Sequence, residues 1–461
     1  MGQSITFLGA AETVTGSRHL LTLNDKKILV DCGLFQGGED LRQRNWQQFP
    51  IDPAEIDAIV VTHAHLDHIG YLPKIVKLGY RGPIYATSAT IQLARISLPD
   101  SGRIQEEDAR FANKHRFTKH DPALPLYTEQ DAYEALKQMR PVHYFEFTSL
   151  PGGAQFQFLP AGHILGSAYA EIYFENGERI LMSGDLGRYN TPIIKDPTEV
   201  SFSEYLVLES TYGDRLHVTE DPEAKLEAII KDAIQNGSVV LIPSFAIGRT
   251  QELLYHIHAL QDRKAIPRIP IFVDSPMANS STLVYGGAVD EFDKEMKIEL
   301  SEGHTPLKPD YVEFIRDSNQ SKALNSRSGP MMIIAGSGMC TGGRIVHHLR
   351  HRLDDPSTVV LFAGYQAEGT LGRKLIDREP EVRIHGVEVP VRARIEALGS
   401  LSAHADYSEI LKWLEGFKTP PKETFIVHGE PPAQASLKEK IEAKFGWNVV
   451  IPKWLESFDL P

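Results

Sequence analysis

Thr62-His-Ala-His-Leu-Asp-His68 sets three imidazoles and a carboxylate within one short stretch. An apolar run over residues 56–61 precedes it and reads as a buried parallel strand. Beyond it, Ile69, Leu72, Ile75 and Val76 fall at helical spacing, with Gly79 as the stop. The stretch therefore occupies the turn between the C-terminal end of a strand and the start of a helix, where open α/β sheets place their active sites. His63 and His65 lie two apart, so in extended backbone they project to the same side. A compact turn returns Asp67 and His68 to the same point. Imidazole nitrogens with one carboxylate suit zinc or a similar borderline divalent metal. A single catalytic zinc takes three protein ligands and keeps a position open, so four donors in this turn point to two metals sharing the cluster. Without metal, burying these groups would be costly.

The 461-residue chain is long enough for two or three domains with ample core. Its 42% hydrophobic and 24% charged residues are ordinary for a globular protein. No apolar run approaches a membrane span, and the expectation is no membrane partner. Cys32 and Cys340 imply no disulfide framework, and a cytoplasmic location is expected. A net charge of −13 argues against a bulk, non-specific nucleic-acid coat, but leaves room for a local basic groove.

Three strands are expected over residues 4–8, 19–23 and 27–31. The third ends in Asp31, which either steadies the metal turn from behind or caps a turn. Residues 83–86 read as a strand and 88–98 as a helix. Residues 100–150 read as a polar excursion at the rim of the site. A strand over 155–160 leads to His163, flanked by glycines that permit close approach of backbone. Another over 179–183 leads to Asp185, and one over 204–209 ends in Glu209.

Alternating strands and helices then imply a second parallel sheet, with strands at 238–243, 270–273, 330–335 and 358–363. Two Gly-rich loops, 336–344 and 364–373, open helices, where backbone N–H groups favour anions. Ser337, Thr341, Arg344, Thr370 and Arg373 add hydroxyl and guanidinium donors suited to phosphate. Ser244 and Arg249 repeat the theme, and Ser402 joins this candidate set. Each loop also reads as a tight turn, and the basic helix from Arg344 to Arg352 as a solvated face. The chain closes with His404 before an amphipathic helix, a strand over 422–427 ending in His428, a helix over 433–445 and a strand over 448–451.

The His63-to-His68 motif resembles the signature of the metallo-β-lactamase superfamily, with Asp31, His163 and Asp185 matching its other motifs. Glu209-Ser-Thr-Tyr-Gly213, Ser402-Ala-His404-Ala-Asp406 and His428-Gly-Glu430 resemble motifs A, B and C of the β-CASP group. Within that group the chain is similar to RNA-processing members, including the endonuclease subunit of the eukaryotic pre-mRNA cleavage factor and its compact prokaryotic relatives. The resemblance implies an α/β fold: a metallo-β-lactamase αββα sandwich over 1–207 and 394–461, with a Rossmann-like parallel-sheet β-CASP domain inserted over 208–393. It implies two zinc ions per chain. His63, His65, His163 and Asp185 would hold the first; Asp67, His68, Asp185 and His428 the second. Asp67 and Asp31 count with the catalytic set, His404 is the candidate general acid and Glu209 orients it. A histidine at motif C goes with RNA, so the expected activity is hydrolysis of single-stranded RNA, endonucleolytic with room for 5′–3′ exonuclease action. A homodimer is compatible with the family.

Three other readings compete. A DNA nuclease of the same fold is disfavoured by His428. A small-molecule hydrolase leaves the inserted domain unexplained. A non-catalytic binding subunit is expected to lose ligands, and none is missing.

Overall fold

The structure, a computed structural model, describes residues 2–115, 120–364 and 366–461. Residues 116–119 of the expected rim excursion and Tyr365 of the second Gly-rich loop lie outside the described residues. The chain forms two compact units. The first comprises Met1–Asn190, Asp196–Leu216 and His404–Pro461; the second comprises Thr191–Lys195 and His217–Ala403.

Among the described residues, the first unit holds two seven-stranded sheets. One runs in the order Ser457–Asp459, Ser4–Phe7, His19–Leu23, Lys26–Val30, Ala58–Val60, Ile84–Ala86, Met139–Pro141. The other runs Val449–Val450, Glu423–Val427, Tyr205–Glu209, Arg179–Met182, Ala168–Tyr173, Gln155–Pro160, Thr148–Ser149. The two-residue period of a strand sends Phe156 and Phe158 to one face and Leu159 to the other. Phe156, Phe158, Ala170, Ile172, Met182 and Val207 meet Ile5, Phe7, Leu21, Val30 and Val60 of the first sheet in one core. Leu159, Leu181, Leu206, Leu208 and Ile426 face outward, and the helices Tyr407–Leu414 and Pro431–Phe445 cover them with Ile410, Trp413, Leu437 and Ile441. Tyr205–Glu209 is buried at every position and pairs in parallel on both sides, which explains its unbroken apolar reading. This is the expected αββα sandwich.

Three features depart from the sequence expectation. The helix expected to stop near Leu98 continues from Ser88 to His115 through Pro99. Proline removes only one internal hydrogen bond, and docking on the Glu129–Leu136 helix offsets the loss. A Cβ on Gly102 would come within 2.7 Å of Thr128 and Glu129 backbone, so the contact is close. The helix after the metal turn is two short helices, Leu66–Ile69 and Leu72–Lys77. The chain does not end its sheet pairing at Val450: Ser457–Asp459 pairs antiparallel with Ser4–Thr6, a strand too short and polar to register as a pattern.

The second unit carries a six-stranded parallel sheet in the order Val312–Phe314, Ile271–Asp274, Met331–Ala335, Val239–Pro243, Thr358–Phe362, Arg394–Ala397. One face packs on Leu226, Ile230, Leu253 and Ile257, the other on Ile345, Leu349 and Leu375, so helices cover both sides. The Rossmann-like expectation holds.

Phe158, wholly buried between the two sheets of the first unit, gives the test of this packing. Phe158→Ala is expected to lower stability by about 3–5 kcal/mol. The readout is a fall in the denaturant midpoint at unchanged slope.

Candidate metal centre

Every donor of the first unit's cluster stands just beyond the C-terminal end of a strand. Thr62–His68 follows Ala58–Val60, His163 follows Gln155–Pro160, Asp185 follows Arg179–Met182, Glu209 ends Tyr205–Glu209 and His428 follows Glu423–Val427. His404 is held by an isolated antiparallel bridge to Gly187. The turns are tight. A Cβ on Gly33 would lie 1.5 Å from the Asp67 carbonyl oxygen, and one on Gly187 1.9 Å from that of Gly162. Asp31 and His428 take left-handed backbone, φ 59° and 50°, a conformation a side chain costs about 1 kcal/mol or more to adopt.

Two sets of atoms converge. In the first, His65 Nδ1 lies 3.1 Å from His63 Nε2 and 3.2 Å from His163 Nε2. Asp185 Oδ2 lies 3.3 Å from His63 Nε2 and 3.4 Å from His163 Nε2. In the second, His428 Nε2 lies 3.3 Å from both His68 Nε2 and Asp67 Oδ2. Asp185 Oδ1 lies 3.1 Å from His68 Nε2, so one carboxylate touches both sets.

These spacings fit a metal. Donors at about 2.0–2.1 Å from a tetrahedral zinc stand about 3.3 Å apart. Among the described residues, Asp185 Oδ1 and His163 Nδ1 are buried without a hydrogen bond, and bare lone pairs crowded this closely repel unless a cation sits among them. The chain therefore carries a divalent-metal site.

Hydrogen bonds fix which nitrogen faces inward. Asp31 accepts from Thr62 N at 2.8 Å and from His68 Nδ1 at 2.7 Å, leaving His68 Nε2 for the cluster. The Thr62 hydroxyl donates to Asp31 and stands 3.1 Å from His63 Nδ1. Backbone bonds from Ser17 N to Asp67 O and from Cys32 N to His68 O clamp the turn.

The electrostatics divide the histidines. Burial pushes His65 down to about 3, with His63 adding to the effect. Burial likewise lowers His63 and His163, aided by His68 and His404 respectively. These rings are neutral, as metal ligands must be. For His68 and His428, burial is outweighed by Asp185 and by Asp31 or Asp67, and both are raised. Beside them His404 directs Nδ1 at Glu209, 3.0 Å from Oε1 and 3.2 Å from Oε2. Burial alone would lower His404, but Glu209 and Asp185 outweigh it and raise the ring to about 9. Glu209 is wholly buried, while the His404 side chain is 21% exposed.

The structure thus gathers His63, His65, Asp67, His68, His163, Asp185, His428, His404, Glu209 and Asp31 in one unit. Thr62 and Thr211 also join, and were unassigned from sequence although both stand inside quoted motifs.

The candidate phosphate residues all belong to the second unit, beyond its strand ends. Several already have partners. Ser244 Oγ lies 3.0 Å from Thr250 Oγ1, and Ser337 Oγ 3.2 Å from Thr341 Oγ1. Thr370 caps the Leu371–Ile376 helix. Arg344 pairs with buried Asp274 at 2.5 Å and donates to Arg316 O at 3.1 Å. Arg249 is buried against Glu252, with its Nε unpartnered. Arg373 meets Asp377 at 2.8 Å and stays half exposed, and Ser402 is buried.

Three family models match: a metallo-beta-lactamase superfamily domain at residues 20–188, a Beta-Casp domain at 250–375 and a Zn-dependent metallo-hydrolase RNA specificity domain at 388–452. Ribonuclease TTHA0252 of Thermus thermophilus is 42% identical over 424 residues, covering 92% of each chain. The transcription termination factor FttA of Methanocaldococcus jannaschii is 29% identical over 465 residues, 98% of this chain and 71% of that one. A crystal structure of a protein of unknown function from Enterococcus faecalis shares the fold, with a TM-score of 0.55 at 13% identity over the full length of both.

Asp31→Asn keeps the shape but weakens the acceptor for His68 Nδ1. Divalent-metal affinity, read by competition with a chromogenic chelator, is expected to fall about 10–100-fold.

Proposed function

The chain belongs to the β-CASP group of the metallo-β-lactamase superfamily, and from that premise we propose that it is a cytoplasmic ribonuclease that hydrolyses single-stranded RNA with two zinc ions. The observation that carries this reading is the pair of donor sets sharing Asp185, with the His404–Glu209 pair beside them. His63, His65 and His163 are assigned to one ion, Asp67, His68 and His428 to the other, and Asp185 to both. When bound, the ions supply an activated water and positive charge for the phosphate oxygens.

The rest is work for the chain's own side chains. Glu209 accepts a hydrogen bond from His404 Nδ1–H and fixes the ring, and Nε2 is assigned to the leaving oxygen. As the phosphorus–oxygen bond breaks, that oxygen takes the Nε2 proton. A ring raised to about 9 still carries its proton at neutral pH, as a general acid requires. Asp31 holds His68 in the tautomer that offers Nε2 to the metal. RNA is preferred to DNA on the strength of His428 at motif C and of the match of residues 388–452 to an RNA specificity domain. The relative from Thermus thermophilus bears the name ribonuclease, which supports the same assignment. The inserted domain, 208–393, is assigned to the RNA strand through Ser244, Arg249, Ser337, Thr341, Arg344, Thr370 and Arg373, with Ser402 beyond its end. Arg373, half exposed, is the most accessible guanidinium of this set.

His404→Ala is expected to slow cleavage by about 10²–10⁴-fold while zinc content stays unchanged. The acid acts only when protonated, so wild-type activity falls as pH rises through about 9, or lower once bound cations repel the ring's proton. His404→Ala removes this basic limb and Glu209→Gln moves it to lower pH. A basic limb that survives His404→Ala assigns the acid elsewhere.

Matched single-stranded RNA and DNA, with chelator and His428→Ala controls, test the substrate. RNA is expected to be cut faster and only with metal. Faster cutting of DNA, or chelator-resistant cutting of RNA, overturns the assignment.

A further inference from the structure

Glu209 serves more than His404. Its Oε1 accepts from Leu186 N at 2.7 Å, and its Oε2 accepts from the Thr211 hydroxyl at 2.6 Å and from Thr211 N at 3.2 Å. The Thr211 hydroxyl has one proton, and the shortest contact takes it to Glu209. Its lone pairs then face His428 Nδ1, 3.2 Å away, which donates its N–H to them. His428 Nε2 is left bare, 3.3 Å from both Asp67 Oδ2 and His68 Nε2. Asp185 Oδ1 lies farther from His428 Nδ1, at 3.5 Å.

We propose that Thr211 is a positioning residue: its hydroxyl links buried Glu209 to His428 and locks the His428 tautomer that offers Nε2 to the second metal. The inference rests on the two-metal reading above. The arrangement parallels the other side of the cluster, where Asp31 holds His68 through Nδ1. There the carboxylate reaches the ring directly. Here a hydroxyl is interposed, because Glu209 already receives His404 on the same carboxylate. The carboxylate that orients the acid thereby also orients a metal ligand. His428 needs such a tether because its backbone is in the left-handed region at the end of its strand. The bonds from its N–H to Ala10 O and from Ser210 N to its own carbonyl fix the main chain but not the ring.

Thr211→Val keeps the shape and deletes the hydroxyl. Zinc titration of metal-free full-length protein is expected to show wild type taking two ions. In Thr211→Val, affinity for one ion falls about 10–100-fold and the other is unchanged, while Thr211→Ser, which keeps the hydroxyl, matches wild type. Circular dichroism melts check folding, and Thr211→Ala replaces the valine variant if that one does not fold. Two ions bound by wild type and bound equally well by Thr211→Val overturns the role of Thr211 alone. Loss of the ion in the serine variant with the valine variant intact assigns the residue to methyl packing and also overturns it. A wild type that takes one ion overturns the two-metal reading and this inference together.

Discussion

A buried carboxylate needs a cation, and in this fold that carboxylate is Asp185. Its two oxygens touch different sets of imidazoles, and one oxygen has no hydrogen bond. An ionised carboxylate left unpaired in a dry interior costs several kcal/mol, at an order-of-magnitude level. The surroundings are more acidic still, since Asp31, Asp67 and Glu209 lie against the same histidines. Divalent cation charge at the cluster offsets these carboxylates. The alternative is to protonate rings, and the rings raised by their surroundings, His68, His428 and His404, are those beside the carboxylates.

The sandwich makes this concentration of charge affordable by separating packing from chemistry. Between the sheets there are apolar side chains such as Phe7, Phe156 and Phe158. The charged groups are confined to the turns at one set of strand ends, where backbone can be bent. Gly33 and Gly187 let main chains approach to distances that no Cβ would permit. Asp31 and His428 pay a conformational cost in the left-handed region, held there by paired strands on either side. Strain of this kind persists where the surrounding structure over-determines the backbone.

How much of this was legible follows from how local each signal is. The Thr62–His68 turn could be read from its residues alone, because its donors are a few positions apart after an apolar strand. His163, Asp185, Glu209 and His428 are single residues at the ends of single strands and His404 stands before a helix, so their joint role came from motif resemblance rather than from spacing. The inserted sheet was visible because strands buried on both faces are unbroken apolar runs, as in Met331–Ala335. Ser457–Asp459 was invisible because pairing, not composition, makes it a strand. Helix Ser88–His115 outran its proline because tertiary docking overrode local preference. Arg344 read as a free phosphate donor because its partner Asp274 lies far away in sequence.

The two donor sets differ in what stands behind them, and that difference has a chemical consequence. His68 and His428 each direct Nδ1 toward an anchored acceptor, Asp31 directly and Glu209 through Thr211. His63 directs Nδ1 at the Thr62 hydroxyl, and His163 Nδ1 has no hydrogen-bond partner among the described residues. An anionic acceptor behind an imidazole makes the ring both a stronger ligand and a stronger base. The surroundings raise His68 and His428, whereas burial lowers His63, His65 and His163. In the proposed two-metal arrangement, ion binding at the two halves responds differently to acid, although they share Asp185. The half that competes with protons is also the half tied to Glu209 and so to His404. In the proposed mechanism, metal at that half and the charge on His404 are linked through the buried Glu209 carboxylate.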